Sequence, residues 1–310
     1  MQSVFCRLRP EQIVYEPFPH VWARDALDPV YYEELANAFP TLERVAGSGL
    51  LPNNQVFRAP ACDVLNDPAT PAIWRDFFSY HCSAAFLREL TTFWRTAIER
   101  EYPDIERRFG KPLSDLTCDL RRYRGGKPPE NIRDNMRTDV TLDTQFVVNT
   151  PVTEVSTVRG PHLDKPYKLF AGILYMRHPD DRSTGGTLEL YRLREGGRPH
   201  FDRRQHVSES FVAPFDEVPY APNTLVLWLN TPRALHGVSP RSTTDVPRRY
   251  VNFIAECYRL RPDTFFSLER NLWATAYVAA KRAARKRMIR EVGEQGDPQG
   301  SERAASGQSV

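Results

Sequence analysis

Two residues apart on an extended strand means the same side of it, so His162 and Asp164 in Gly160-Pro161-His162-Leu163-Asp164 can offer an imidazole and a carboxylate to one point. A single pair of this kind is weak evidence, because a chain with seven histidines and 39 acidic residues produces such pairs by chance. A hydrogen-bonded surface pair is then the plainer account. The distant His236 changes the balance: it follows the apolar run Thr224-Leu225-Val226-Leu227-Trp228-Leu229, and Arg248-Arg249-Tyr250-Val251-Asn252-Phe253 opens another strand after it. Two histidines and one carboxylate make a facial set that leaves three positions open on octahedral iron(II). A structural zinc site would close its coordination, usually with thiolates, and no cysteine stands near either histidine in the sequence.

The elements that must position these residues are of two textures. Asp28 as cap, Pro29 at the first helical position, and Tyr31, Leu35, Ala38 and Phe39 at helical spacing predict a helix that Pro40 stops. Phe77, Leu87, Leu90, Trp94, Ala97 and Ile98 predict a second helical region from about Pro71 to Tyr102. Between Leu120 and Tyr258 short β-rich runs alternate with Gly, Pro, Asn and Asp clusters. Gln145 to Asn149, Val152 to Val158, Leu169 to Met176, Thr187 to Tyr191, Thr224 to Leu229 and Tyr250 to Tyr258 all read as strands. Many short strands without intervening helices argue for a sandwich or barrel and against a doubly wound layout. No GxGxxG, Walker loop, GxSxG or internal repeat is present. From about Thr264 to Arg290 a last helix is expected, its end from Lys281 onward carrying six basic residues and no acidic one, and Glu291 to Val310 reads as a disordered tail.

Taken together, His162-x-Asp164, Gly185-Gly186-Thr187-Leu188-Glu189-Leu190, and His236 followed 13 positions later by Arg249-Tyr250 resemble the prolyl 4-hydroxylase-type branch of the 2-oxoglutarate/iron(II) oxygenases. The resemblance spans about Val152 to Tyr258, and Pro17-Phe18-Pro19-His20 with the helix after it is similar to bacterial members of that branch. It implies a mainly β, α+β chain with a double-stranded β-helix, or jelly roll, whose mouth holds Fe(2+) on His162, Asp164 and His236, with 2-oxoglutarate as co-substrate and O2 as oxidant. The organisation expected is a helical support region over 1–115, the oxygenase core over 116–262, a C-terminal helix packed on it over 263–290, and the tail over 291–310.

The resemblance also gives roles that spacing alone cannot assign. The far carboxylate of 2-oxoglutarate needs a cation, and an arginine's planar fork suits it. Arg249 is the expected partner, directly before Tyr250, with Arg248 the neighbour from which it must be distinguished, because adjacent strand residues face opposite ways. Tyr175 is expected to bring a hydroxyl to the same carboxylate, with aromatic packing as its plainer role. Lys168 and Arg159 are candidate substrate contacts, a solvated lysine being the plainer account of the former. Gly185 and Gly186 are expected to shape the rim, and His178, His200 and His206 to be non-ligands. One departure stands out: the interval from His236 to the arginine is a few residues longer than in compact members, which loosens the arginine's register. Because Asp164 is retained, where halogenating relatives carry a small residue, hydroxylation or another oxidation of a C–H bond is the reaction implied.

Composition sets outer bounds. With 310 residues, 41% hydrophobic and 26% charged, the chain has ordinary globular composition. Five scattered cysteines, none in a CxxC, indicate neither a disulfide framework nor a thiolate zinc site. The longest apolar runs fall far short of the ~20 residues that cross a bilayer, and the first residues lack a hydrophobic segment, so a cytoplasmic protein without a membrane partner is expected. A net charge of +3 does not by itself argue for nucleic acid; the basic run Lys281 to Arg287 keeps a nucleic-acid-directed oxygenase open, behind a solvated helix end. The expected substrate is a small molecule or biosynthetic intermediate. A prolyl or other protein side-chain hydroxylase, and a jelly-roll metal-binding protein without oxygenase activity, are the readings that compete with it.

Overall fold

The computed structural model describes residues 1–124, 127–196, 201–202, 205–260 and 265–267. Most of the α-helices lie in the first part of the chain, α1 (Pro29–Asn37), α2 (Leu42–Ala46), α3 (Ala61–Asn66), α4 (Ala72–His81), α5 (Ala84–Phe93), α6 (Arg95–Glu101) and α7 (Ile105–Phe109), and the short α8 (Ile132–Asn135) comes later. Strand β1 (His20–Ala23) precedes α1, and β2 (Val56–Pro60) lies between α2 and α3. They are followed by β3 (Cys118–Leu120), β4 (Tyr123–Arg124), β5 (Lys127–Glu130), β6 (Val140–Asn149), β7 (Lys168–Tyr175), β8 (Leu188–Leu193), β9 (Val212–Val218), β10 (Thr224–Leu229), β11 (His236–Val238) and β12 (Arg248–Glu256). The chain is thus α+β.

The larger sheet runs β1-β10-β7-β12-β6-β2, antiparallel throughout, with β3 added parallel to β6. A smaller sheet runs β11-β8-β9. All ten residues of β6 are buried, which requires cover on both faces. Its side chains divide accordingly: Val140, Leu142, Phe146 and Val148 join an apolar core with the helices, whereas Val147 joins a second core with residues of the smaller sheet. On β12 the same alternation puts Val251, Phe253 and Ala255 toward the helices and Tyr250 toward the space between the sheets.

Local chemistry explains the helix breaks. The Asp28 carboxylate accepts from the Val30 and Tyr31 amides and Pro29 opens α1, as the sequence predicts. The region expected to be helical from Pro71 to Tyr102 is three helices, because Ser83 leaves the α4 trajectory and caps α5 by accepting from the Phe86 amide, and Trp94 ends α5. Val152 to Val158 is not a strand. Only Val152 and Ser156 make isolated bridges, to Thr244 and Arg241. The strand β9 is not expected from the sequence, since Pro214, Asp216 and Glu217 hide its period. The expected C-terminal helix and tail lie outside the described residues, apart from Phe265 to Ser267. Among the described residues no helix is long and apolar enough to cross a membrane.

One core group makes stability depend on pH. His81 is buried against Phe77, Phe86 and Phe253; it accepts from the Val4 amide through Nε2 and lies 2.7 Å from the Phe77 carbonyl through Nδ1, so the neutral Nδ1–H tautomer satisfies both. Burial pushes its pKa from 6.5 down to about 3. The unfolded chain therefore takes up this proton first as pH falls, and stability present above pH 6.5 is lost toward pH 3 at about 1.4 kcal/mol per pH unit. Urea unfolding between pH 7 and pH 4 checks this: the slope of stability against pH should be shallower by that amount in His81→Leu than in the parent, and equal slopes would refute it.

Candidate metal centre

His162 and His236 face each other because their backbones exchange two hydrogen bonds, His162 N to His236 O at 2.9 Å and His236 N to His162 O at 3.1 Å. Directly opposed residues of an antiparallel pair share a face, and the two rings lie with centroids 4.2 Å apart. Asp164, two residues on, presents its carboxylate to the same place: one ligand atom from each of the three lies within 4.8 Å of the others, and all three side chains are buried. Each histidine has its Nδ1 2.9 Å from the carbonyl two residues earlier, Gly160 for His162 and Ala234 for His236. That carbonyl accepts the Nδ1 proton, which leaves each Nε2 lone pair for a cation.

Electrostatics favour the ligating forms. Burial, reinforced at His162 by His236 and Arg159, lowers both imidazole pKa values, so both rings stay neutral. Burial works against ionisation of Asp164, but the Lys168 ammonium, whose Nζ stands 2.9 Å from its Oδ1, holds its carboxyl well below the usual range. The Trp228 ring packs on His236 at 4.7 Å and closes one side with apolar surface.

A second cluster lies between the same two sheets. Arg248 is 1% exposed, donates from Nε to the Gly186 carbonyl at 3.1 Å and from Nη2 to the Tyr175 hydroxyl at 3.1 Å, and has the rings of Tyr250, Tyr220 and Tyr175 at 4.8, 5.0 and 5.1 Å. Burial pushes the Tyr175 phenol up to about 12 against the pull of Arg248, so its proton remains to be donated. Asn149, paired across the sheet with Arg248, is fully buried with neither amide atom hydrogen-bonded. Two other arginines are comparably buried, Arg121 (7%) and Arg241 (1%), and each has a carboxylate: Glu256 at 2.9 Å and Asp181 at 2.7 Å. Among the described residues Arg248 has none. Gly185 permits the turn that delivers the Gly186 carbonyl, with φ of 75° and no room for a Cβ, which would fall 1.8 Å from the Pro240 oxygen.

No family model and no curated protein matches this chain. Solved structures similar to it include a Pseudomonas putida prolyl 4-hydroxylase (11% identity, TM-score 0.37, covering 76% of this chain and 92% of that one). A Trichoplax adhaerens prolyl hydroxylase bound to a hypoxia-inducible-factor peptide is also similar (12%, 0.37, 78% and 86%). So is the epimerase SnoN in complex with Fe3+, alpha-ketoglutarate and nogalamycin RO (11%, 0.43, 80% and 81%). With TM-scores below 0.5 these likenesses carry no argument, and the function rests on the site itself.

The structure brings His162, Asp164 and His236 together, and places Tyr175 beside Arg248. Arg249 is turned the other way: its Nε donates to the Met176 carbonyl at 3.0 Å and its guanidinium lies over Phe39 in the helical layer. The orientation expected of Arg249 therefore belongs to Arg248. Lys168 is engaged with Asp164, and Arg159 donates to His206 at 3.3 Å. His206 bridges to His162 with ring centroids 5.9 Å apart but lies outside the three-ligand group; His178 is at the surface beside Asp180, and His200 lies outside the described residues. Sequence reasoning missed Tyr220, the Gly186 carbonyl and Asn149. Pro219-Tyr220-Ala221-Pro222 reads as a turn, and only the buried, unpaired amide of Asn149 sets it apart.

Cobalt(II) titration of the metal-free protein, followed by absorbance, tests the centre. One ion should bind per chain, and His236→Ala should weaken it by more than about 100-fold, since even a group that only orients a metal ligand is worth up to that much. The variant's far-ultraviolet circular dichroism should be unchanged; unaltered cobalt affinity would remove His236 from the centre.

Proposed function

We propose that this chain is an iron(II)- and 2-oxoglutarate-dependent oxygenase, an oxidoreductase whose two sheets form a double-stranded β-helix core. The observation that carries the reading is a buried arginine without a carboxylate among the described residues, Arg248, between the same two sheets as a three-ligand centre with open positions. The ligand set fits ferrous iron, with two neutral imidazoles and one carboxylate and no thiolate. When bound, iron supplies the activation of dioxygen, and the overall reaction converts 2-oxoglutarate, O2 and a C–H substrate to succinate, CO2 and hydroxylated product.

The chain's own residues do the rest. Arg248 receives the far carboxylate of 2-oxoglutarate in its planar fork, Tyr175 donates its hydroxyl proton to the same group, and the Asn149 amide offers a further donor at that end. Gly186 and the three tyrosine rings fix the guanidinium before the ligand arrives, which reduces the cost of ordering it. Trp228, Ile173 and Leu190, in one apolar cluster between the sheets, keep water from the oxidising centre. Lys168 keeps Asp164 ionised and oriented. The substrate is a small molecule.

Arg248→Ala removes the cation from a buried pair, a loss of about 3 kcal/mol or more, equal to about a 100-fold rise in the 2-oxoglutarate dissociation constant. Arg249→Ala, on the helical side, should change it by less than about threefold, within the range of a substitution away from the ligand. Calorimetry with the iron-loaded, oxygen-free protein measures both. Equal losses in the two variants would defeat the assignment, and absence of 2-oxoglutarate binding to the parent protein would defeat the function.

A further inference from the structure

The inner face of the larger sheet carries polar side chains that neither the metal ligands nor the Arg248 cluster uses. Asp143 and Gln145 are alternate residues of β6, and Asn252 lies opposite Gln145 on β12. Gln145 shares its face with Val147, and Asn252 shares its face with Tyr250 and, across to β7, with Ile173; all three apolar neighbours belong to the cluster between the sheets. Asn252 therefore points into the same space as the metal ligands. Its partner Ile173 is one inward position from Ala171, which pairs with Trp228, the residue packed on His236. The row of Asn252 thus lies between the Trp228 row beside the metal centre and the Tyr175–Tyr250 row beside Arg248.

Hydrogen bonding fixes what Asn252 offers. Both oxygens of the buried Asp143 accept: Oδ1 from the Ala61 amide at 3.0 Å, and Oδ2 from the Tyr123 hydroxyl at 2.7 Å and from Gln145 Nε2 at 2.6 Å. A carboxylate cannot donate, so Gln145 turns its NH2 to Asp143 and its Oε1 the other way. That oxygen accepts from Asn252 Nδ2 at 3.3 Å. Asn252 can answer only with its NH2, which leaves its Oδ1 and its second N–H uncommitted, since among the described residues nothing else bonds to its side chain. Asp143 and Gln145 are buried and Asn252 is partly exposed, so the chain of bonds starts in the core and ends at open space.

We infer that the substrate of this oxygenase carries an amide, which Asn252 binds with its Oδ1 as acceptor and its second N–H as donor, in the direction that Asp143 sets through Gln145. The inference rests on the proposed oxygenase function and adds the substrate's chemical class. A carboxamide with one acceptor and one donor free is matched by a group that offers one of each. An ester leaves Oδ1 unpaired, and a carboxylate sets its charge against that oxygen. Asn252 touches the substrate, whereas Asp143 and Gln145 act through it and are positioning residues.

The test titrates the iron- and 2-oxoglutarate-loaded protein, kept free of oxygen, with a set of aliphatic and aromatic primary amides, each paired with its methyl ester. The parent should bind its best amide at least about tenfold more tightly than the matching ester, the range for leaving one partner of a buried hydrogen bond unmade. Asn252→Leu, close in size and without the carboxamide, should abolish the difference. Gln145→Leu removes only the group that fixes the direction of Asn252, and should reduce the difference severalfold without abolishing it. Affinity for 2-oxoglutarate should stay within about threefold of the parent in both variants, as for groups that do not touch it, which also reports that they fold. The inference is overturned if the parent distinguishes no pair, if the difference survives in Asn252→Leu or is undiminished in Gln145→Leu, or if Asn252→Leu loses 2-oxoglutarate as Arg248→Ala does. Failure of the parent to bind 2-oxoglutarate would instead overturn the oxygenase function beneath it.

Discussion

The two reciprocal hydrogen bonds between the backbones of His162 and His236 are the constraint on which the rest of the site depends. They hold two segments 74 positions apart in register, so that imidazoles and, two residues on, a carboxylate reach one point. Removing these three groups from water is costly unless each is satisfied. The Gly160 and Ala234 carbonyls satisfy the rings, and Lys168 satisfies the carboxylate. Those partners in turn need the larger sheet: Lys168 opens β7, which lies between β10 and β12, and Trp228 on β10 packs against His236. The helical layer then buries the outer face of that sheet through Trp74, Phe77, Phe78 and Phe146. An apolar layer on one face and a polar, ligand-bearing space on the other follow from a strand period of two applied to β6 and β12.

Much of this is visible in the sequence where chemistry is local. Asp28 and Pro29 announce α1 because a cap carboxylate and a fixed φ act within one turn. Thr224 to Leu229 reads as a strand at its observed bounds, since six buried residues leave no competing period. His162 and Asp164 read as a pair because strand geometry alone aligns them. What fails is non-local. Val152 to Val158 has β-branched residues but forms β-bridges only at Val152 and Ser156, its other contacts running largely through the Asn53 and Asn54 side chains, so propensity is not turned into a ladder. Val212 to Val218 is a strand because β8 pairs with it, although Pro214 and a solvent-facing Asp216 and Glu217 give it a loop's composition.

The Arg248 and Arg249 pair shows why register is the hardest feature to read. A shift of one residue exchanges the two faces of a strand, and two adjacent arginines give no compositional sign of which faces in. The deciding contacts come from far along the chain: Asn149 opposite Arg248, and the loop before β12 tied down by Arg241, which binds Asp181 at 2.7 Å and donates to the Val246 carbonyl. The longer loop after His236, which loosens the register in the sequence, is therefore fixed by a buried ion pair that joins positions 60 residues apart.

That comparison also explains why Arg248 carries the proposed function. Arg121, Arg241 and Arg248 are all removed from water, and a buried guanidinium without a counter-charge is among the more expensive groups a protein can contain. Two of the three are relieved inside the fold by Glu256 and Asp181, so the fold has the means to supply carboxylates where a cation serves only stability. At Arg248 it supplies aromatic faces, a carbonyl and a hydroxyl instead. These stabilise a cation less than an ion pair does, and they leave the charge available. A stability-driven sequence would place an acid there; its absence among the described residues, next to an orphaned Asn149, is what the proposed 2-oxoglutarate site requires.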